Sequence, residues 1–60
     1  MPVVQVNWFK GRSRETREKV AESIEKTMIE LAGCKPGDTH IMFNEYEREN
    51  WAINGKLRDK

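Results

Sequence analysis

The apolar and polar positions of this 60-residue chain fall into blocks of different period. Val3 to Phe9 is short, β-branched and aromatic, with only Gln5 and Asn7 breaking the apolar run. This predicts a strand with apolar residues on both faces, each of them meeting protein. From Arg14 to about Ala32 the period changes. Val20, Ile24, Met28 and Leu31 recur at intervals of four, four and three, which is one face of an α-helix. Ala21 and Thr27 widen that stripe, and Ile29 falls off it, toward a subunit contact or solvent. Arg17, Glu18, Glu22, Glu25 and Lys26 make the opposite, solvated face, where Arg14/Glu18 and Glu22/Lys26 are spaced to attract. His40 to Tyr46 reads as a second strand.

The boundaries agree with these periods. Lys10-Gly11-Arg12-Ser13 is a loop in which Ser13 is placed to cap the helix, with Thr16 standing where a full capping box has Glu or Gln. Gly33 suits the helix end, and Cys34-Lys35-Pro36-Gly37-Asp38 is a turn-rich connection. Strand, helix and strand joined by short loops predict an α/β fold: a single β-α-β unit with parallel strands and a right-handed crossover. The tail from Glu47 to Lys56 is polar apart from Trp51, Ala52 and Ile53, and Asn54-Gly55 signals a tight turn. It reads as a short C-terminal hairpin carrying one aromatic anchor, with Leu57 to Lys60 fraying. The whole of 1–60 is one domain.

Size changes this picture. A chain this short buries only about 60% of its unfolded surface and needs a staple. Cys34 is the only cysteine and His40 the only histidine, so neither an intrachain disulfide nor a Cys/His zinc cluster can form within one chain. Oligomerisation is left, and other subunits are expected to cover the sheet face that one helix cannot reach. Eleven Lys and Arg against ten Asp and Glu leave a net charge of +1, so nucleic acid is not an expected partner. No apolar run spans a bilayer and no leader is visible, which predicts a cytoplasmic protein with no membrane partner.

The candidate chemistry begins at Met1-Pro2. An initiator methionine before proline is normally removed, which would leave a secondary amine at the mouth of the first strand. An α-amino group has a reference pKa of about 8, and burial lowers it, so Pro2 is a candidate base at neutral pH. Arg12 offers a planar, permanently charged fork to a carboxylate. Seven strand residues at roughly 3.3 Å each put Arg12 more than about 20 Å from Pro2 of its own chain, so a shared site needs Arg12 from a neighbour. In a parallel pair His40 opens the second strand beside Pro2, able to donate a hydrogen bond or, when protonated, to bind a carboxylate. Trp51 is a candidate apolar wall or a packing residue at a subunit boundary. No phosphate-cradling loop, nucleophile elbow or acidic metal cluster is present, so no metal site is assigned.

Met1-Pro2, the strand Val3 to Phe9, Gly11-Arg12-Ser13, the amphipathic helix and Trp51-Ala52-Ile53-Asn54-Gly55-Lys56 together resemble the 4-oxalocrotonate tautomerase family across essentially the whole chain. The resemblance implies a cofactor-independent isomerase, assembled as a homo-hexamer built as a trimer of dimers. In it, Pro2 is the general base for keto-enol tautomerisation of a small unsaturated 2-hydroxy or 2-oxo carboxylic acid. It also implies that Arg12 from another subunit binds the substrate carboxylate, that Trp51 stands at the family's apolar wall, and that the backbone amide of Phe9 helps hold a substrate oxygen through water. The chain departs from the family's pattern at His40, where a second arginine is usual, which points to a simpler monocarboxylate substrate. Two other readings stay open. One is a hydratase or dehalogenase using Pro2 as an acid, with Glu45 or Asp38 activating water. The other is a non-catalytic oligomeric binding module in which Pro2 only begins a strand.

Overall fold

Two seven-residue strands of matching length give the chain its frame. In a computed structural model, which describes residues 1–59, β1 (Val3–Phe9) pairs with β2 (His40–Tyr46) in parallel. The register runs from Val3 opposite His40 to Phe9 opposite Tyr46. The crossover between them is α1 (Arg14–Ala32). The β-α-β unit read from the sequence is therefore present, and the tail adds the short hairpin: a single 3₁₀ turn at Arg48–Asn50, then β3 (Ala52–Ile53) antiparallel to β4 (Lys56–Leu57). Asn54 (φ 56°) and Gly55 (φ 75°) link β3 to β4 with the two positive φ values of a type I′ turn.

Local signals set the helix ends. Ser13 Oγ accepts the Thr16 N–H at 3.1 Å, satisfying one donor the first turn cannot pair. Gly33 closes the other end at φ 72°, and the N–H groups of Gly33 and Cys34 both turn back to the Met28 carbonyl. Beyond it, Lys35 to Asp38 make a tight turn in which Gly37 (φ 82°) takes the position that favours glycine, and the Asp38 N–H reaches the Lys35 carbonyl at 3.1 Å.

The helix covers one face of the sheet, made of the half-buried Val4, Val6, Trp8, Ile41, Phe43 and Glu45. Trp8 and Phe43 stack there with ring centroids 5.4 Å apart. The inward face of α1 is rotated from the expected stripe. Arg17, Glu25 and Ile29 are half-buried beside Val20, Ala21, Ile24 and Met28, whereas Thr27 is exposed and Leu31 is 84% exposed. The cause is polar: Arg17 turns inward to the Glu45 carboxylate at 3.3 Å, and Glu25 turns inward to accept the Gly37 N–H at 2.8 Å. Leu31 is left on the opposite rim, in the last turn. On the outer surface Arg14 pairs with Glu18 as expected, but Lys26 approaches Glu30. Exposed pairs of this kind add a few tenths of a kcal/mol at most.

The second face, Val3, Gln5, Asn7, His40, Met42, Asn44 and Tyr46, is open in the single chain. So the expectation that protein meets both faces of β1 is met on one side only within the chain. None of the described residues is fully buried, and the radius of gyration is 14.4 Å, against about 10 Å for a compact chain of this length. In the tail, Leu57 and Arg58 do not fray: Leu57 lies in β4, and the Arg58 N–H points to the carbonyls of Trp51 (2.9 Å) and Arg48 (3.2 Å). Lys60 lies outside the described residues. Among them, no helix is long and apolar enough to cross a membrane.

A lone two-stranded sheet with one covered face is marginal in water. Light scattering is expected to give a mass that is a multiple of 7.1 kDa, and the melting temperature should rise with protein concentration. A monomer with a concentration-independent melting temperature would contradict this reading.

Candidate active site

The sheet sorts the predicted site residues to its two ends. At the N-terminal ends of the strands, the His40 N–H donates to the Pro2 carbonyl at 2.9 Å, which fixes Pro2 immediately before the first ladder position. Pro2 is half-buried and the His40 side chain is exposed. The turn before β2 brings a carboxylate to the same place: Asp38 Oδ2 lies 3.9 Å from the Met1 nitrogen. This end therefore gathers the chain's one imidazole, a carboxylate and the backbone nitrogen that processing would convert to an amine.

Arg12, Phe9 and Trp51 are at the other end. Arg12 lies in the loop after β1 and folds back on its own strand. Its guanidinium stacks over the Trp8 ring, 4.3 Å from the centroid, and Nη1 donates to the Phe9 carbonyl at 3.1 Å. Trp51 packs edge-on against Phe9 (4.8 Å between centroids) and Tyr46 (5.6 Å). The register spaces these two ends by the full length of β1, about 20 Å. Within one chain, the structure brings Pro2 and His40 together, brings Arg12, Phe9 and Trp51 together, and keeps the two groups apart. Trp51 gives no wall to Pro2 of its own chain.

Two other residues matter that the sequence did not place at the site, Arg48 and Arg17. Arg48 sets a second guanidinium at this end, 4.2 Å from the centroid of the Phe9 ring. Nothing in the polar tail marks it, because its position depends on the 3₁₀ turn. Arg17 holds the loop that carries Arg12: its Nη1 donates to the Arg12 carbonyl at 3.0 Å while contacting both oxygens of Glu45. Glu45 is thereby occupied, faces the helix, and sits opposite Trp8, far from Pro2. Of the two carboxylates considered for water activation, only Asp38 is near the amino terminus.

Arranged across a subunit boundary, these two ends would supply a base, a hydrogen-bonding imidazole and a carboxylate-binding guanidinium to one small anion. The pattern described as tautomerase enzyme matches residues 2–60, and the chain belongs to that family. A probable tautomerase of Ralstonia nicotianae is 33% identical over 57 residues, covering 95% of this chain and 88% of that one. The 2-hydroxymuconate tautomerase of Comamonas testosteroni is 29% identical over 55 residues, covering 92% and 87%. A solved structure of a 4-oxalocrotonate tautomerase homologue matches with a TM-score of 0.91 at 26% identity, covering 100% of this chain and 97% of the other. The protein is thus an isomerase of the tautomerase type.

The Arg17–Glu45 pair is the support on which the Arg12 loop rests, with side chains 32% and 24% exposed. Glu45→Ala is expected to cost about 1 kcal/mol in urea unfolding, because it leaves Arg17 half-buried without its partner. In a double-mutant cycle with Arg17→Ala the two losses should not add. Additive losses would show that the pair supports nothing.

Proposed function

We propose that this protein catalyses keto-enol tautomerisation of a small unsaturated 2-hydroxy or 2-oxo monocarboxylic acid, with the amine of Pro2 as general base. The observation that carries the reading is the position of Pro2 at the open edge of the sheet, its carbonyl tied to β2 and its nitrogen outside the ladder. Membership of the tautomerase family supports it. The neutral amine takes the enol O–H proton, the C=O bond forms as the double bond shifts, and the ammonium returns a proton to carbon at the far end of the conjugated system. Atoms and charge balance without a cofactor.

Arg12 from a neighbouring subunit binds the substrate carboxylate and draws negative charge toward it. The span of β1 supports this division, since Arg12 cannot reach Pro2 of its own chain. Trp51 and Phe9 arrive with it, placing an apolar wall and a backbone amide beside the substrate. We assign the assembly as a hexamer, a trimer of dimers, which the open sheet face supports. His40 stands where a second cation would hold a second carboxylate, so one carboxylate is favoured over two. The lone free thiol of Cys34 suits a reducing compartment such as the cytoplasm.

Intact mass of the purified protein is expected to show loss of Met1, and ultraviolet assays to show faster ketonisation of phenylenolpyruvate than of 2-hydroxymuconate. Pro2→Ala should lower kcat/KM by about 10²- to 10⁴-fold. Arg12→Ala should weaken carboxylate binding or turnover, and kinetics unchanged by it would remove Arg12 from the site. The rate should rise with pH as the amine loses its proton. A rate that falls instead would identify Pro2 as an acid and favour hydration of an unsaturated acid.

A further inference from the structure

Among the described residues the carboxylate that meets the amino terminus is Asp38, on a backbone tied down on both sides. Asp38 is the last residue of the Lys35 to Asp38 turn, closed by its own N–H on the Lys35 carbonyl. That turn is tied to α1 through the Gly37 N–H and the Glu25 carboxylate, 2.8 Å apart. Two residues later the His40 N–H binds the Pro2 carbonyl, so the backbones on either side of the gap are both fixed. Asp38 Oδ2 then stands 3.9 Å from the Met1 nitrogen. Successive backbone nitrogens are less than about 4 Å apart, so when Met1 is removed the Pro2 nitrogen lies within about 8 Å of this carboxylate, a gap that rotation of the exposed Asp38 side chain can shorten.

We propose that Asp38 is the anionic partner of the Pro2 amine, a positioning residue that stabilises the ammonium formed when Pro2 takes up a proton. The inference rests on reading Pro2 as a free amine. An opposite charge within about 4–6 Å favours the protonated form, so a proline facing Asp38 is a stronger base than one without it. In the reaction above, that ammonium exists between removal of the proton from oxygen and its delivery to carbon. Asp38 lowers the free energy of that interval without touching the carbon skeleton. It also places negative charge at the end of the site opposite Arg12, where it repels the second carboxylate of a diacid.

The other titratable or charged side chains next to this place are Glu25, the α1 residue tied to the turn, Cys34 before the turn, Lys35 at its start, and His40 at the start of β2. Glu25 is engaged with Gly37, and the His40 backbone with Pro2. Asp38 is the one carboxylate among them in contact with the terminus.

The test is a titration of the amine itself, in protein labelled with ¹⁵N at proline and shown by intact mass to lack Met1. Pro36, the only other proline, is an amide and supplies a signal that does not titrate. The Pro2 nitrogen should titrate at lower pH in Asp38→Asn than in the parent protein, by roughly one unit, with Asp38→Glu close to the parent. The basic shift of the pH-rate profile in the parent should disappear in Asp38→Asn in step. An unchanged midpoint in Asp38→Asn overturns the inference, and so does retention of Met1. If the midpoint moves but neither enol is turned over, the assignment of Asp38 stands and the tautomerase substrate does not. If Pro2→Ala abolishes turnover while the midpoint stays fixed, the reverse holds.

Discussion

Everything in this protein depends on the parallel pairing of β1 with β2 and on how little a sheet of two strands can bury. Parallel strands require a crossover, the crossover is a helix, and one helix can cover only one face. Val4, Val6, Trp8, Ile41 and Phe43 are therefore half-buried against α1, while Val3, Met42 and Tyr46 remain open on the other side. Both strands also keep an unpaired outer edge, the kind of surface that recruits further backbone. A chain in this condition lowers its free energy when another protein surface covers that open face.

The same pairing decides how chemistry is distributed. Because the strands run in the same direction, both strand starts lie together and both ends lie together. One end receives Pro2, His40 and Asp38; the other receives Arg12, Arg48 and the aromatic group of Phe9, Tyr46 and Trp51. Pro2 and Arg12 are held about 20 Å apart on one rigid strand and do not meet within the chain. In the proposed site they serve one substrate only where two chains meet, so that site and the covering of the open sheet face both call for a neighbouring subunit.

Polar side chains on the inward helix face make this division rigid. Arg17 spans from α1 to Glu45 on β2 and to the Arg12 carbonyl, holding the end that carries Arg12. Glu25, two turns further on, fixes the Gly37 N–H and with it the turn that carries Asp38. A purely apolar stripe would have packed the helix as well, but it would have left both loops free. Charged residues at two inward positions sacrifice some burial for the placement of the two loops.

Much of this was legible in the chain. The change of period from strand to helix, the Ser13 cap, the Gly33 stop and the Asn54-Gly55 turn are local effects, decided by a few neighbouring residues and so readable from them. The adjacency of Pro2 and His40 followed from the parallel crossover alone. What the sequence could not decide was anything set by contacts between distant segments. Arg17 and Glu25 look like surface charges until Glu45 and Gly37 are brought beside them, and Leu31 looks like core until the helix is seen to turn its face toward those polar partners. Glu45 and Asp38 are equivalent as letters, yet one is spent under the helix and the other stands at the amino terminus. Local periodicity fixes which elements form; only the tertiary packing fixes how a helix is rotated and which charges it pairs, because those energies depend on residues far apart in the chain.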